Sequence, residues 1–342
     1  MADVQVLVFT KAGVLLAELE PELQSVNWRL NNVGMARFSL AWEDPKCTKT
    51  NLAFGNRLLI RFGNGLPDWG GVIDPPRKRE PNYVEVTCYT GERLLDWRVT
   101  AQNRRFDRAP AGTIARSLLE EENGERPTGI DVGSIYSGGE LRTLEYHYHD
   151  LLERLQDLAR LSGEDFEVAP LYSAGRLTFQ LNWRKRRGRD ISNSVRLVDG
   201  ANVETAVLDE QGQIANRVIL AGEGTTWAAD RLVAADEDAA SRINYGYREY
   251  SEVQAGVVNT DTLTANAAAI LADKKNPANL YSLSVTDDAP GRFADYGVGD
   301  IVSAELFVAS AEWYAAADVR VIAREWSPDG VCRLEVEEWS DS

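Results

Sequence analysis

One alternating segment near the start of the chain limits its fold most strongly. From residue 36 to residue 42 apolar side chains occupy every second position, and Arg37 and Ser39 stand between them. Since successive side chains of a strand point to opposite faces, this pattern predicts a half-buried β-strand. Short apolar runs separated by Gly, Pro and Asn predict further strands at 4–9, 14–19, 57–62, 69–73 and 83–89. Several short strands at regular spacing favour a sandwich or barrel over a doubly wound parallel sheet.

The pattern becomes helical after Asn103. Residues 110–123 carry an apolar stripe behind a proline and are followed by a glycine, which predicts a helix. A second helix is predicted to begin at Asp150, with Glu153 in the capping-box position, and to stop at Gly163. Two strands in a hairpin complete a small α/β unit of about 85 residues, at 166–171 and 176–183.

Strands return in the last part of the chain. Residues 203–208 and 216–221 are predicted to pair around a turn at 210–212. An alanine-rich helix is predicted at 262–273, ending before Asn276-Pro277. Further strands are predicted at 280–285, 301–308, 319–326 and 332–339. Two β units of similar size therefore flank an inserted α/β unit.

The 342 residues suffice for about two domains. No stretch approaches about 18 consecutive apolar residues, so no membrane span is expected. Lys11 interrupts the first apolar run, which argues against a secretory signal peptide. The three cysteines are Cys47, Cys88 and Cys332. Their odd number and wide spacing predict reduced thiols in a cytoplasm.

Charge is unevenly distributed along the chain. The sequence has 53 acidic and 37 basic residues, for a net charge of −16. Residues 1–189 contain 26 of each kind, whereas residues 190–342 contain 27 acidic and 11 basic residues. An acidic surface repels phosphates, so the second part is not expected to grip nucleic acid. Solubility alone is an alternative explanation for the acidity.

Motifs for metal binding are weak. The only two histidines are His147 and His149, and a His-x-His pair can begin a zinc site. No third histidine exists, no cysteine lies nearby in sequence, and Asp150 is better suited to capping a helix. We therefore expect no metal ligands.

Motifs for catalysis and cofactor binding are also missing. There is no Gly-x-Ser-x-Gly elbow and no Gly-Lys-Ser/Thr phosphate loop. The segments 222–224 and 63–65 each lack the third glycine of a dinucleotide loop and are explained by turns. Acidic pairs are too abundant to single out a glycosidase pair. The sequence predicts no catalytic residue, no cofactor and no enzymatic activity.

The dense basic run at 184–189 is open to two interpretations. It could touch a phosphate backbone, but it lacks interleaved aromatic residues. A solvated loop, or a contact with an acidic neighbour, is favoured. The tryptophans, such as Trp28, Trp42, Trp69 and Trp97, are better explained by core packing than by carbohydrate stacking.

Several segments together resemble the minor tail proteins that form the baseplate hub of long-tailed bacteriophages. The opening strands resemble the start of that family, and Asn31-Asn32-Val33-Gly34 precedes the alternating strand. The other matching segments are Trp69-Gly70-Gly71-Val72-Ile73, the Leu-Leu helix at 91–98, the helix-then-strand element at 150–168, and residues 216–222 and 296–300.

The resemblance implies a mainly β (α+β) fold with two tube-like antiparallel β-barrel domains and an inserted small α/β domain. Residues 1–103 would form the first barrel, with residues 190–224 as a candidate completion of it. Residues 104–189 would form the insert, and residues 225–342 the second barrel. Three copies would then place six similar barrels in a ring, which adapts a six-fold tail tube to a three-fold tip.

The implied function is that of a structural virion protein at the tail tip, assembled in the host cytoplasm. It would cap the tail tube and enclose the channel through which the viral genome is ejected. Its partners would be two further copies of itself, the tail tube or distal tail protein, and tip or fibre proteins, with DNA only in transit. The alternatives are a tail-tip cell-wall hydrolase and a host carbohydrate-binding module, which would need exposed tryptophans.

A channel for DNA also suggests a place for the acidic residues. A negatively charged wall lets the duplex slide, since contact with it releases no counterions. The basic run at 184–189 is then expected to face outward or to meet a partner. The predicted acidic lumen consists of Asp209, Glu210, Glu223, Asp236, Glu237, Asp238, Asp287, Asp288, Asp295 and Asp300.

Overall fold

A computed structural model of the chain describes residues 4–63, 65–100, 103–146, 148–222, 224, 231–254, 256–307 and 314–339. Strands account for 48% of it and helices for 17%, which confirms the predicted mainly β class. Among the described residues, no helix is both long and apolar enough to cross a membrane.

The first part of the chain is a run of strands, and each predicted strand is present. A strand at 22–29, whose mixed polar pattern gave no clear signal, was not predicted. The elements are β1 (Val4–Phe9), β2 (Leu15–Leu19), β3 (Glu22–Arg29), β4 (Met35–Ala41), β5 (Arg57–Phe62), β6 (Trp69–Arg79), β7 (Tyr83–Thr90) and the short helix α1 (Arg93–Asp96).

The middle part contains the two predicted helices and the predicted hairpin. Gly124 lies within the last turn of its helix instead of after it, because the amide of Arg126 still bonds the carbonyl of Glu122 at 2.7 Å. The elements are β8 (Arg104–Ala109), α2 (Ala111–Glu125), β9 (Ile130–Ile135), β10 (Arg142–Tyr146), α3 (Leu151–Ser162), β11 (Asp165–Ser173) and β12 (Arg176–Arg184).

Both ends of α3 follow the sequence signals. The Asp150 carboxylate accepts a hydrogen bond from the amide of Glu153 at 3.0 Å, so it satisfies one of the free N–H groups of the first turn. Gly163 takes φ +67°, the left-handed conformation that ends a helix and that glycine adopts without steric cost. Between these caps, five apolar side chains form the buried face: Leu151, Leu152, Leu155, Leu158 and Ala159.

The last part contains more elements than predicted, including a second small α/β region. The elements are β13 (Arg196–Val198), β14 (Val203–Gln211), β15 (Arg217–Ala221), β16 (Val233–Glu237), α4 (Ala239–Tyr245), β17 (Glu249–Val253), α5 (Thr260–Lys274), β18 (Ala278–Thr286), β19 (Ile301–Phe307), β20 (Tyr314–Trp326) and β21 (Val331–Glu338). Val308, in the predicted strand 301–308, lies outside the described residues.

The predicted pairing of residues 203–208 with 216–221 is wrong. Strand β14 pairs antiparallel with β18, and β15 lies between β16 and β17 in a separate three-stranded sheet. Both segments look like strands, but Val218 and Leu220 pack with the apolar face of α5. The short turn between them therefore leads from one sheet to another and is not a hairpin.

One thirteen-stranded sheet contains strands from the first and the last parts of the chain. Its main path is β14-β18-β21-β20-β3-β4-β7-β6-β5-β1-β2, with β19 and β13 branching from β20. The antiparallel pairing of β3 with β20, which sets Trp28 opposite Arg324, joins the two β groups. The path of the described strands is open and does not close into a ring.

Two hydrophobic cores hold these elements together. One lies under the large sheet and contains side chains from both β groups, among them Phe38, Trp69 and Val321. The other surrounds the helices and contains apolar residues of α2 and α3 together with Leu263 and Ile270 of α5. Apolar side chains of β15, β16 and α5 thus contribute to the core of the α/β part. The boundaries of the domains remain a prediction.

Candidate functional site

The described residues contain no metal-binding cluster. No group of three or more His, Cys, Asp or Glu side chains among them is placed to hold a metal ion. The backbone amide of His149 donates a hydrogen bond to the hydroxyl of Thr100 at 3.0 Å. Asp150 caps α3. His147 lies outside the described residues.

The cysteine thiols are poorly suited to nucleophilic chemistry. All three are free, and Cys88 and Cys332 are buried. Burial raises the pKa of Cys332 to about 12 and raises that of Cys88 as well, because a thiolate is poorly solvated in the core. At neutral pH both side chains are therefore protonated thiols, whereas the thiolate is the nucleophilic form.

The predicted acidic residues lie on three separate segments of the chain. Asp209 and Glu210 are exposed at the end of the edge strand β14. Asp287, Asp288 and Asp295 are exposed in the connection between β18 and β19. Glu223 lies outside the described residues.

The third acidic segment has local structural roles. Asp236 and Glu237 end β16, and Glu237 forms an ion pair with Arg242 at 2.5 Å. Asp238 caps α4 by accepting from the amide of Ser241 at 2.8 Å, and this hydrogen bond lowers the pKa of Asp238. These three residues lie beside α4 and not in the large sheet.

Asp300 differs from the other acidic residues because it is buried. Its side chain accepts from the amide of Arg189 at 2.7 Å and from the amide of Gly297 at 2.8 Å. Each of its two oxygens is therefore engaged in shaping the loop before β19.

The basic run at 184–189 meets acidic neighbours within the chain, which confirms the favoured interpretation. The guanidinium groups of Arg184 and Arg187 each lie 3.0 Å from the carboxylate of Glu167 on β11. Arg189 lies 3.7 Å from Asp300 in addition to its backbone hydrogen bond. The run thus connects the end of the inserted hairpin with the last β group.

A close backbone contact fixes this connection. Gly188 has φ +89°, and a Cβ atom there would lie 2.1 Å from the carbonyl carbon of Gly299. Any other residue at position 188 would have to displace the backbone before β19.

Arg187 of the run belongs to a polar cluster that we call the junction, formed by the buried Asp165 and Arg320 and the half-buried Asn31 and Arg187. One oxygen of Asp165 accepts from the Asn31 side chain at 3.0 Å. The other accepts from the amide of Arg187 at 2.6 Å and from the guanidinium of Arg320. One carboxylate therefore ties together the loop after β3, the basic run and β20. Asp165 was not singled out from the sequence, since an acidic residue at the start of a strand carries no signal of its own.

A cavity of about 410 Å³, which we call the junction cavity, lies next to this cluster. Glu92 lies on its wall, is buried, and accepts from the amide of Val168 at 2.8 Å. Burial raises the pKa of Glu92. The walls come from the first β group, the inserted hairpin and the loop before β19, and include Trp28, Trp69, Val168, Arg187, Val298 and Arg324.

The tryptophans divide into buried and half-exposed residues. Trp69 and Trp183 are buried in the two cores, as predicted. Trp42 and Trp97 are 41% exposed, so the prediction of core packing is wrong for these two residues. The indole of Trp42 donates to the carbonyl of Glu80 at 2.7 Å, so this ring lies along the sheet surface.

Three solved structures of tail proteins resemble the chain over nearly its whole length. The 43 kDa tail protein of prophage MuSo2 from Shewanella oneidensis has a TM-score of 0.61 at 11% identity, covering 97% of this chain and 98% of that one. Prophage tail protein gp18 from Listeria monocytogenes has a TM-score of 0.62 at 11% identity, covering 99% and 95%. The tail protein from Neisseria meningitidis has a TM-score of 0.62 at 14% identity, covering 98% and 96%.

Identities this low establish a shared fold and not a shared activity. No protein-family model and no curated protein matches the sequence. The end-to-end coverage means that both β groups and the inserted α/β unit have counterparts in each of these proteins. The resemblance expected from the sequence is therefore confirmed at the level of architecture: the chain has the fold of phage tail proteins.

Proposed function

We propose that the chain is a structural tail hub protein that terminates the tail tube and encloses the DNA ejection channel. The observation that carries the proposal is the fold it shares, from end to end, with three tail proteins. The protein would act at the tail tip after assembly in the host cytoplasm. Its neighbours would be the tail tube or distal tail protein on one side and tip or fibre proteins on the other.

The geometry supports a ring of three copies. Two β groups in one chain are joined through the β3–β20 pairing, so each copy presents two strand-rich units in a fixed relation. Three copies would supply six such units for a six-fold tube while keeping a three-fold tip. Closed rings are the usual way in which such head-to-tail contacts end.

The exposed acidic residues are proposed to line the channel or its mouth. Asp209, Glu210, Asp287, Asp288 and Asp295 have the required exposure. A wall with these charges would repel the duplex and let it slide without releasing counterions. Asp300 is left out of this wall, since it is buried and engaged in the loop before β19. Asp236, Glu237 and Asp238 lie beside α4, so their place in the wall depends on how copies assemble.

Charge reversal tests the acidic wall. Changing Asp209 and Asp288 to Lys is expected to slow DNA ejection while leaving the tail assembled. Glu43→Lys is the matched control, because Glu43 is exposed and lies in the neutral first part of the chain. Unimpaired ejection by the Lys variants, or an equal defect in the control, would contradict the wall.

We also propose that the protein has no enzymatic role. The described residues hold no metal-binding cluster, and both buried thiols are protonated. A zymogram on peptidoglycan is expected to show no clearing. A cleared zone that persists in the purified protein would instead support a tail-tip hydrolase.

Assembly tests the proposed function as a whole. Light scattering on the concentrated protein is expected to show a trimer. Labelling of assembled tails is expected to place the protein at the tail tip. A monomer at all concentrations that is also absent from tail tips would refute the proposal.

A further inference from the structure

Arg324 on β20 is a buried cation with an incomplete set of partners. Its side chain is 1% exposed. Its terminal nitrogens donate to two backbone carbonyls, that of Tyr296 and, at 2.9 Å, that of Phe293. Its Nε atom is buried without a hydrogen-bond partner among the described residues. Burial lowers the pKa of Arg324 to about 10, so the guanidinium remains charged at neutral pH.

Two further buried groups beside Arg324 also lack partners. The Trp28 ring centre lies 5.2 Å and the Tyr296 ring centre 5.6 Å from the guanidinium carbon. Within the described part of the chain, neither the indole N–H of Trp28 nor the hydroxyl of Tyr296 makes a hydrogen bond. Buried polar groups are almost always satisfied, so three such groups in one place indicate a missing partner.

Two of these groups belong to side chains that line the junction cavity, those of Trp28 and Arg324. Tyr296 is not a lining residue, although it packs against Arg324. An indole N–H and a guanidinium can only donate hydrogen bonds, and the tyrosine hydroxyl can also donate one. The missing partner must therefore be an acceptor.

The charges around the cavity favour an anionic acceptor. Asp68 lies 3.4 Å from Arg61, and Glu167 lies 3.0 Å from both Arg184 and Arg187, so these two wall carboxylates already have cationic partners. The third wall carboxyl is that of Glu92, which accepts from the amide of Val168, and burial raises its pKa and so disfavours its negative charge.

Arg324, in contrast, forms no ion pair with any described residue. Asp287 and Asp300 interact with it electrostatically but do not contact it as ion-pair partners. The aromatic faces around it stabilise the cation but accept nothing from its Nε–H. A buried charge without a counter-charge is costly, and a charged acceptor compensates it better than water does.

We propose that the junction cavity binds a small oxyanion, a phosphate or a carboxylate, through Arg324 and Trp28. The anion would accept from the Nε–H of Arg324 and from the indole N–H of Trp28. Because its walls come from both β groups and the inserted hairpin, the bound anion would hold all three together. This inference does not depend on the proposed tail function.

Calorimetric titration of the purified full chain tests the site, with inorganic phosphate in one arm and acetate in the other at constant ionic strength. Binding of either anion supports the site, and the stronger arm identifies the ligand class. Arg324→Gln is expected to abolish binding. Arg333→Gln on β21 is the matched control, since it removes the same charge from an exposed position.

Trp28→Phe provides a test that does not depend on the buried charge, because it removes the unpartnered N–H and keeps an aromatic ring. We expect it to weaken binding about tenfold, the effect of one charge-assisted hydrogen bond. Trp42→Phe, whose indole bonds the Glu80 carbonyl away from the cavity, should bind as the wild type does. If Arg324→Gln fails to fold, the two Trp variants decide the matter. Absence of binding to both anions by the wild type, or equal binding by the two Trp variants, would overturn the proposal.

Discussion

The carboxylate of Asp165 and the guanidinium of Arg320 form an ion pair in the interior, with side chains 4% and 10% exposed. Asp165 begins the inserted hairpin and Arg320 lies in β20, so the pair joins the α/β part to the last β group. Arg320 also donates to the carbonyls of Gly299 at 3.4 Å and Arg187 at 3.2 Å. The position of the insert is therefore fixed by polar contacts as well as by its apolar core.

Asp165→Asn should be strongly destabilising. The substitution leaves the Arg320 charge buried without its counter-charge, which typically costs about 3 to 5 kcal/mol in the free energy of unfolding. Urea unfolding measures the change. Asp157→Asn is the control, because Asp157 pairs with Arg154 and Arg160 at the surface, where such pairs contribute at most about 1 kcal/mol. Equal losses in the two variants would contradict the role assigned to Asp165.

Asp150→Ala should cost about 1 kcal/mol, because it removes the hydrogen bond that caps α3. Asp150→Asn keeps a side-chain oxygen at the same place and should cost much less. Thermal unfolding of the three proteins side by side provides the comparison. If the Ala and Asn variants lower the midpoint of thermal unfolding equally, the side-chain cap is not what stabilises the start of α3.

Glu92→Gln should make stability less dependent on pH. Burial raises the pKa of Glu92 above its ordinary value of 4.5, so the folded protein binds this proton more tightly than the unfolded chain does. The protonated carboxyl therefore stabilises the folded protein at low pH. This contribution is lost as the pH rises through the pKa that Glu92 has in the folded state. Glutamine mimics the protonated acid and keeps an oxygen to accept from the amide of Val168.

The two proteins should thus be similarly stable near pH 4, with the variant increasingly more stable toward about pH 7. Urea unfolding across this range measures the difference. A constant gap between the two proteins at all pH values would show that Glu92 is not a titrating group of the interior.

Replacing His147 and His149 together by Gln should leave assembly and infectivity intact, because two imidazoles without a third ligand make a weak metal site. Metal analysis of the purified protein should find no stoichiometric zinc. Stoichiometric zinc that disappears in the double variant would show that the pair is a metal site after all.

Local features of the fold could be predicted where one segment carries the whole signal. The caps of α3 at Asp150 and Gly163 are examples, since both depend on residues within a turn of the helix. The partner of a strand is different. Nothing in residues 203–208 shows that they pair with β18, about seventy residues later. The next apolar run along the chain is β15, which belongs to a separate sheet.

The polar residues of the junction cavity could not be predicted for a related reason. Arg324 lies in a strand among alternating apolar residues and looks like a surface residue. It is buried because Trp28, Phe293 and Tyr296, from distant parts of the chain, surround it. The basic run at 184–189 was recognised from its composition, but its attachment to Glu167 and Asp300 required the tertiary structure.

The central claim is that this chain forms the hub at the end of a tail. Electron cryomicroscopy of assembled tail tips tests it most directly. The account predicts three copies of the chain in one closed ring around the channel, each placing its two β groups in successive positions, with a negatively charged wall from residues after 189. A tip without this chain, or the chain repeated in six-fold rings along the tube, would contradict it.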